Sequence, residues 1–480
     1  MFTPVIASYN HCNTFPYCVV IFNYVCEIIP MSRKRKQGRE ETYDQPVAHL
    51  VSLGCAKNLV DSEIMLGALA QAGFAVSASP EGADVVLVNT CGFVRDAVDE
   101  SEDVIRELAA LRREGGCGRL VVAGCLAQRR QQALREKFPE IDLLIGTSAY
   151  TDIVELLNGD ASESFPPRTA MPDHTFARLP STPPWTAFLR TAEGCSNRCA
   201  YCIIPYIRGD FRSRTPDSLV REARDLAAMG VRELVLVAQD NTRFGLDLPA
   251  PSSLPALLES LSSIESIDWI RVMYCHPARV DENLLRAFAN TPKVLPYLDM
   301  PIQHAHPDIL RAMNRPENPA EVLRAIERAR ELMPDVCIRT TALVGFPGET
   351  ERHFKALLDF VDKAQFDRLG AFRYSPEPEA PAAFMQAQVR EDVKGERLDR
   401  LMNVQSEIAL KRNQIWVGRE LDVLIEGPSD SPGMSAGRSF RDAPDVDGYV
   451  FVKGEHAPGA FVRARVRTAT HYDLVAEPVD

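Results

Sequence analysis

Between residues 47 and 160, short apolar runs alternate with longer stretches in which apolar residues recur every three or four positions. The runs "VAHLVSLGC", "ADVVLVNTC", "RLVVAGC" and "IDLLIG" predict buried strands, and the stretches between them predict helices. One helix, "NLVDSEIMLGALAQAG", is predicted to begin at Asn58 as its N-cap and to end at Gly73. Continuous apolar strands separated by helices predict an α/β domain whose parallel sheet is covered on both faces.

A second series of strands and helices runs from about residue 185 to 410. Its six predicted strands are "TAFLRTAEGC", "RELVLVAQD", "WIRVMYCHP", "VLPYLDMPIQH", "VCIRTTALVGFPGE" and "RLGAFRYSP". Six such units favour a partial (β/α)6, TIM-like barrel, in which functional residues gather where strands end and loops begin. Residues 161–184 separate the two series, and their Pro, Ser and Thr content predicts a linker.

The pattern changes again over residues 411–480, where short alternating segments are joined by Gly, Pro and Asp. The segments "ELDVLIEG", "GYVFVKG", "AFVRARVRTAT" and "YDLVAE" predict a small antiparallel β-barrel. We interpret residues 1–46 as an extension that is disordered or precedes the true start of the protein. Its apolar stretch, residues 15–30, is short for a membrane span and lacks the basic residues that precede a signal sequence. No role is assigned to its cysteines, which are Cys12, Cys18 and Cys26.

Charge and cysteine content narrow the class of protein. The formal net charge is −12 over 480 residues, which argues against a general nucleic-acid binder and is compatible with a basic partner. Twelve cysteines are too few for a secreted disulfide scaffold, and several have the spacing of metal ligands. We therefore expect a cytoplasmic protein with reduced cysteines and no membrane segment.

Three cysteines, Cys195, Cys199 and Cys202, form a CxxxCxxC pattern directly after the first predicted barrel strand. Zinc is one interpretation, but a structural zinc site takes four ligands, usually as two separated pairs. Here three thiols cluster, and no fourth Cys or His lies in the loop. A 4Fe–4S cluster fits the pattern better, because three irons take thiolates and the fourth stays open for another ligand.

A second cysteine set is dispersed in the sequence. Cys55, Cys91 and Cys125 each end a predicted strand of the first domain, in the similar contexts "LGC", "NTC" and "AGC". Because parallel strands end at one edge of a sheet, where ligands commonly bind, we expect these thiols to lie together. Three unrelated core cysteines are the alternative, since buried cysteine is common. The repeated context favours a second cluster, again with one iron open.

With both sets placed, the chain resembles the radical S-adenosylmethionine methylthiotransferases over about residues 47–480. The motifs that carry the resemblance are "LGCAKNLVDSE", "VNTCGFV", "AGCLAQR", "EGCSNRCAYCIIPYIRGDFRSR", "YLDMPIQHA", "TTALVGFPGET" and "YSPE". The resemblance implies a methylthiotransferase N-terminal domain (47–160), a radical domain (185–410) and a TRAM domain (411–480). It also implies that the dispersed cysteines hold an auxiliary cluster and that the CxxxCxxC cysteines hold the radical cluster.

The cofactors implied by the resemblance are two 4Fe–4S clusters and S-adenosylmethionine, with an electron donor as a partner. Tyr201, before the last cysteine, matches a family position beside the adenine. Gln239, Gln303, Gly345 and Gly348 follow predicted barrel strands and are candidates for cofactor binding. Loop packing and loop hydrogen bonding are the alternative roles of these residues. No side chain beyond the cluster ligands is assigned a catalytic role.

The family has two main branches, which modify either an adenosine in transfer RNA or an aspartate of the twelfth small-subunit ribosomal protein. The segments "IIPYIRGDFRSR", "QDNTRFGLD" and especially "GRSFRDAPDVDGYV" resemble the ribosomal-protein branch. Residues 411–480 hold nine Lys and Arg against eleven Asp and Glu, whereas an RNA-binding barrel should be basic. Arg463, Arg465 and Arg467 alternate along one predicted strand, as a local basic stripe or as a solvated face.

We therefore predict methylthiolation at the β-carbon of an aspartate, with the TRAM domain contacting the substrate protein rather than transfer RNA. That C–H bond is unactivated, so a side-chain base is not sufficient and a radical is required. The alternatives are a transfer-RNA adenosine methylthiotransferase, a non-catalytic iron–sulfur electron carrier and an RNA-binding module with structural clusters.

Overall fold

A computed structural model describes residues 45–169, 171 and 173–479. Residues 1–44 lie outside this part of the chain, and with them lie most of the predicted extension and its three cysteines. Among the described helices, none combines the length and the apolar character that crossing a membrane needs.

The N-terminal part is a six-stranded parallel sheet with the strand order β2-β1-β3-β4-β5-β6. Every residue of the central strand β3 is buried, because helix α1 packs on one face and helices α2 and α3 on the other. The predicted α/β domain is therefore present. Its strands are Val47–Ser52 (β1), Ala75–Val76 (β2), Val85–Thr90 (β3), Arg119–Gly124 (β4), Leu143–Ile145 (β5) and Glu163–Ser164 (β6); its helices are Ala56–Gln71 (α1), Arg95–Arg113 (α2), Cys125–Lys137 (α3) and Ile153–Asn158 (α4).

Helix α1 begins earlier than the sequence predicted. Its N-cap is Cys55, and Asn58 lies inside the first turn, so the prediction of Asn58 as the cap was wrong. The buried Asn58 amide instead donates to the carbonyl of Leu53, 2.6 Å away. An N-cap accepts from backbone N–H groups, whereas this side chain ties the β1–α1 turn together as a donor.

The central part carries six parallel strands in chain order, arranged as two three-stranded arcs, β7-β10-β11 and β12-β13-β14. This is the predicted partial (β/α)6 barrel. Its six barrel strands are Thr186–Arg190 (β7), Glu233–Val237 (β10), Trp269–Val272 (β11), Tyr297–Asp299 (β12), Cys337–Val344 (β13) and Arg368–Arg373 (β14). Two further short strands, Ala192–Glu193 (β8) and Arg212–Ser213 (β9), form a separate antiparallel pair. The helices are Ile204–Arg208 (α5), Pro216–Ala228 (α6), Leu254–Ser262 (α7), Glu282–Asn290 (α8), Pro307–Ala312 (α9), Pro319–Leu332 (α10), Glu351–Ala364 (α11) and Glu391–Gln414 (α12).

The C-terminal part is a closed five-stranded barrel with the order β15-β16-β17-β19-β18. Four pairings are antiparallel, and β17 pairs with β19 in parallel. The sequence indicated four of these strands and missed β16, whose residues "MSAGR" are too small and polar for an alternating apolar signal. The strands are Glu420–Pro428 (β15), Met434–Arg438 (β16), Val450–Lys453 (β17), Phe461–Ala469 (β18) and Leu474–Pro478 (β19).

The loop of residues 438–447, which follows β16, fills the amino-terminal end of the central barrel. Its contacts are made to residues at or near the first positions of the barrel strands, so its place is fixed by buried polar groups. The contacts join Arg438 to Glu233 (2.7 Å), the Phe440 carbonyl to Arg271 (2.7 Å), the Arg441 carbonyl to Cys337 (3.3 Å), Asp442 to Arg368 (2.6 Å) and Asp447 to the Tyr297 hydroxyl (2.6 Å).

Candidate functional site

The three dispersed cysteines meet at one edge of the N-terminal sheet. Cys55 caps α1 three residues after β1, Cys91 follows β3, and Cys125 follows β4 as the first residue of α3. The three thiols are close enough to interact, since burial and then the charges of Cys125 and Cys55 raise the pKa of Cys91. None of the three is in a disulfide. The sheet order explains the meeting, because β1, β3 and β4 are adjacent and parallel.

The backbone around these thiols has no room for further side-chain atoms. Gly54 has φ +92°, and a Cβ there would lie 2.8 Å from the Cβ of Cys91 and 3.0 Å from its Sγ. Gly124 has φ +94°, and a Cβ there would lie 2.7 Å from the carbonyl oxygen of Thr90. Glycine at these two positions therefore leaves free the space that a side chain would occupy. A bulky group bound between the strand ends needs this space.

Two buried cations face the dispersed thiols. Arg208, at the end of α5, donates to Asp61 and Glu193 at 2.9 Å each and interacts with the Cys125 and Cys55 thiols. Burial alone would raise the pKa of Cys55, but Lys57 and Arg208 outweigh it and hold that pKa below its usual value. The surroundings of Cys55 thus favour thiolate, the form that binds metal, whereas burial raises the pKa of Cys91 and of Cys125.

The CxxxCxxC cysteines occupy a loop that the rest of the barrel holds in place. The N–H of Cys195 donates to the Gly209 carbonyl (3.1 Å), the N–H of Ala200 to the Met313 carbonyl (2.8 Å), and the N–H of Cys202 to the Cys199 carbonyl (3.0 Å). Burial, and then the neighbouring Cys199, raise the pKa of Cys195 to about 11 and that of Cys202 further. The structure therefore brings these three thiols together as well.

The spacing of the sulfur atoms bears on the choice between a cluster and a single zinc ion. Three thiolates at about 2.3 Å from one tetrahedral zinc lie about 3.8 Å apart. Over the described residues, neither trio brings its three sulfur atoms within 4.8 Å of one another. As placed, neither trio is closed around one ion, and three separate thiolates can each bind a different iron of one cluster.

A tighter trio, His306, Asp308 and His353, does meet that distance criterion. The Nδ1 atoms of both imidazoles accept backbone N–H groups, from Asp308 and from Thr350, at 3.2 Å each. A metal-bound imidazole normally donates an N–H from its other nitrogen. These rings therefore act as helix caps, and we assign them no metal.

Tyr201 is held beside the CxxxCxxC thiols by Arg315, which sequence reasoning missed. Arg315 Nη1 lies 3.8 Å from the Cys199 Sγ and 3.3 Å from the Tyr201 hydroxyl, while Nη2 donates to the Pro301 carbonyl at 2.8 Å. Its other partner is the buried carboxylate of Glu317. No sequence signal linked Arg315 to cysteines more than a hundred positions earlier, because the link depends on barrel closure.

The candidate cofactor residues all follow the carboxyl ends of barrel strands. Gln239 lies two residues after β10, and both its amide nitrogen and oxygen are enclosed without a protein partner. Gln303 (φ +63°) exchanges backbone hydrogen bonds with Thr341 and Leu343. Gly345 and Gly348 follow β13, where the N–H of Gly345 donates to Glu349 at 2.8 Å. Of these residues, Gln239 has polar atoms that still need a ligand.

Next to the "GFPGE" turn lies a buried pair, His304 and Glu349. The Nε2 of His304 is 3.6 Å from the Oε2 of Glu349, beyond hydrogen-bond distance, and Arg397 donates to the other carboxylate oxygen at 2.9 Å. Burial lowers the pKa of His304 to about 3 and raises the pKa of Glu349 to about 7. His304 is thus a neutral interior histidine.

The two thiol trios are joined by one short helix. Helix α5 begins two residues after Cys202 and ends at Arg208, and Cys125 packs against Ile203 and Ile207. At about 1.5 Å of rise per residue, this helix is about 7.5 Å long. A cavity of about 410 Å³ lies beside Cys55, between the N-terminal sheet, the barrel interior and the 438–447 loop.

Comparison with known proteins covers almost the whole described chain. The radical SAM superfamily matches residues 189–361, the uncharacterized protein family UPF0004 matches residues 47–146, and the TRAM domain matches residues 417–479. The protein "Ribosomal protein uS12 methylthiotransferase RimO" of Desulforamulus reducens is 46% identical over 441 residues, which are 90% of this chain and 99% of that protein. The protein of the same name from Geobacter sulfurreducens is 44% identical over 89% of this chain and 97% of that protein. The chain belongs to the radical S-adenosylmethionine methylthiotransferases, in the RimO branch.

Membership of this family confirms the resemblance drawn from the motifs, and it makes the chain a radical S-adenosylmethionine enzyme. The fold agrees with a solved radical S-adenosylmethionine methyltransferase, TsrM from Kitasatospora setae. That structure has a TM-score of 0.53 and 15% identity over 82% of this chain and 80% of the TsrM chain. The three-part α/β architecture, with its partial barrel and C-terminal TRAM barrel, is therefore confirmed. The roles of the six cysteines and of the cofactor candidates stay predictions.

Proposed function

We propose that this enzyme inserts a methylthio group at the β-carbon of an aspartate in ribosomal protein uS12, using two 4Fe–4S clusters. Cys55, Cys91 and Cys125 would hold the auxiliary cluster, and the CxxxCxxC cysteines the radical cluster. The observation that carries the proposal is the placement of two open three-thiol sites on either side of one helix. The relatives that match along nearly their whole length are named as uS12 methylthiotransferases.

When bound, the radical cluster and S-adenosylmethionine supply a hydrogen-abstracting radical, and the auxiliary cluster carries the sulfur. The work of this chain is placement. Arg208 and Lys57 stabilise the thiolate form of Cys55, Arg315 neutralises charge beside Cys199, and the Gln239 amide offers both a donor and an acceptor to the methionyl end of the cosubstrate. Burial of Cys195, Cys125 and their surroundings excludes water from the reacting groups.

The C-terminal barrel supports a protein substrate over transfer RNA. The three arginines of the suggested basic stripe are neutralised within the barrel: Arg463 pairs with Asp422 (3.0 Å), Arg465 with Glu420 (2.8 Å) and Arg467 with Glu477 (2.9 Å). Binding of a phosphate backbone relies on cations free to replace counterions. This surface therefore suits a basic ribosomal protein better than RNA.

The test uses the full chain, reconstituted anaerobically and incubated with S-adenosylmethionine, uS12 and dithionite in place of the electron donor. We expect uS12 to gain one methylthio group on an aspartate, 5′-deoxyadenosine to form, and iron to match two clusters. A Cys91→Ala variant should lose the auxiliary share of the iron and still form 5′-deoxyadenosine, whereas Cys199→Ala should form none. Cys117→Ala, at a packed cysteine outside both trios, is the control.

Three results would overturn the proposal. A methylthio group on transfer RNA and none on uS12 would place the enzyme in the other branch. Formation of no 5′-deoxyadenosine would favour an electron carrier. Zinc in either trio would remove the site at which the cosubstrate binds.

A further inference from the structure

Lys57 is a buried cation without an acidic partner. Lys57 is 6% exposed, and its Nζ lies 4.0 Å from the ring centroid of Tyr274. Within the described part of the chain it forms no hydrogen bond or ion pair. Glu193, the carboxylate that influences it at longer range, is already bound by Arg190 and Arg208 at 3.1 and 2.9 Å.

Other buried cations near this site are paired. Arg208 and Arg190 share Asp61 and Glu193, and Arg178 bonds Glu63 at 2.6 Å and Glu222 at 2.7 Å. Removing an ammonium from water without a counter-charge is costly, and one cation–π contact offsets only part of that cost. Apart from the Cys55 thiol, which Arg208 also faces, no anionic group in the described part of the chain is free to pair with Lys57, and its position therefore points to an anion that arrives with a ligand.

The place of Lys57 fits such a ligand. Tyr274 and Cys55 line the cavity of about 410 Å³, and the Lys57 ammonium lies against the ring of Tyr274. The Tyr274 backbone lies in the left-handed region (φ +58°). Its N–H donates to the Asp299 carboxylate (2.8 Å), and its carbonyl accepts from the N–H of Asn241 (3.0 Å). Because both hydrogen bonds hold this rarely adopted backbone conformation, they fix the position of the Tyr274 ring. A group that enters the cavity thus meets Cys55 and the Tyr274 ring, against which the Lys57 ammonium lies.

We propose that Lys57 binds the side-chain carboxylate of the substrate aspartate and so determines that a carboxylate is accepted at this site. The proposal rests on the proposed function and deepens it. The β-carbon of aspartate is bonded directly to the carboxyl carbon. A carboxylate held at Lys57 therefore places the carbon that is modified beside Cys55, where the auxiliary cluster would carry the sulfur.

A role only in stabilising the cluster is the competing explanation. Arg208 already has that role, since it faces the thiols of both Cys125 and Cys55 and is fixed by two carboxylates. Within the described residues, no hydrogen bond or ion pair fixes the Lys57 side chain. This is expected of a residue whose partner arrives with a ligand. The two explanations differ in what a neutral side chain at position 57 should change.

The experiment measures binding of uS12 to the reconstituted full-length enzyme, first with native uS12 and then with a uS12 variant whose target aspartate is replaced by asparagine. The wild-type enzyme should bind the asparagine form at least about tenfold more weakly, as expected for loss of a charged hydrogen bond. Lys57→Met should bind native uS12 with the same loss and should no longer distinguish the two forms. Lys57→Arg should keep most of the discrimination, and Lys137→Met, at an exposed lysine of the same domain, should behave as wild type.

Binding is compared in preparations matched for iron content, because Lys57 also helps to hold the pKa of Cys55 below its usual value. A purely cluster-supporting role would leave the discrimination between the two uS12 forms unchanged in Lys57→Met. Undiminished discrimination between the two uS12 forms in Lys57→Met would overturn the assignment. If the wild-type enzyme leaves uS12 unmodified, the proposed function itself fails, and that result is separate from the behaviour of Lys57→Met.

Discussion

Arg438 of the C-terminal barrel and Glu233 of the central barrel lie 2.7 Å apart, and each is almost fully buried. The second oxygen of Glu233 accepts from Arg271 at 2.9 Å. One carboxylate thus joins two arginines from two parts of the chain. Burial would raise the pKa of Glu233, but Arg438 and Arg271 together hold it below its usual value.

Replacing Arg438 by Met should destabilise the protein by about 3–5 kcal/mol, because Glu233 would keep its burial and lose one counter-charge. Denaturant unfolding of the full chain measures this. Arg465→Met removes an arginine whose pair with Glu420 is exposed, and it should cost less than about 1 kcal/mol. Equal losses in the two variants would contradict the role given to the buried pair.

Gly54→Ala should prevent loading of the auxiliary site. A Cβ at this position would press on the Cβ and Sγ of Cys91, so about half of the iron expected for two clusters should be lost. Gly73 has nearly the same backbone angle, φ +89°, and open space around it. Gly73→Ala should therefore cost about 1 kcal/mol of stability and no iron. Full iron content in Gly54→Ala would refute the steric argument.

Arg315 should raise the reduction potential of the radical cluster, because its positive charge beside Cys199 favours the more negative reduced state. A double variant, Arg315→Gln with Glu317→Gln, removes the cation without leaving the buried carboxylate unpaired. Its midpoint potential, followed by electron paramagnetic resonance, should be lower than that of the wild type. Arg311→Met, at an exposed arginine nearby, serves as the control and should not shift it. An unchanged midpoint potential in the double variant would contradict the assignment of Arg315 to the radical-cluster site.

The buried Glu349 should make stability fall between about pH 4.5 and pH 7. Burial raises the folded-state pKa of Glu349 to about 7, so the folded protein holds a proton that the unfolded chain has already released. This stabilising contribution is complete below the unfolded pKa and is lost as the pH rises through 7. In Glu349→Gln, the loss of unfolding free energy from pH 5 to pH 8 should be smaller by about 2 kcal/mol. An identical pH dependence in both proteins would be inconsistent with this pKa.

Most of the architecture and the two cysteine trios were predictable from the sequence. Cys195, Cys199 and Cys202 are neighbours in the chain, and strand order brings Cys55 and the other dispersed cysteines to one edge of the sheet. Such relations depend on local patterns and on topology. The strand β16 was missed because its small and polar residues take their burial from neighbouring strands.

The electrostatic partners of the site could not be predicted. Lys57 has the pattern of an ordinary polar residue of α1, and its surroundings depend on how α1 meets Tyr274, two residues after β11. Arg315 reaches Cys199 only once the barrel has formed. The 438–447 segment resembled a branch signature, but its place at the end of the barrel strands depends on contacts with residues up to 250 positions earlier.

The 438–447 loop has a consequence for biosynthesis. Glu233, Arg271 and Arg368 receive partners from a segment that is translated only after all six barrel strands. Until then, a nascent barrel exposes charged groups in what will become its interior. A chain truncated after residue 416 would therefore leave the base of the barrel open. We expect proteases to degrade such a protein as a whole, and not only to see it lose its C-terminal domain.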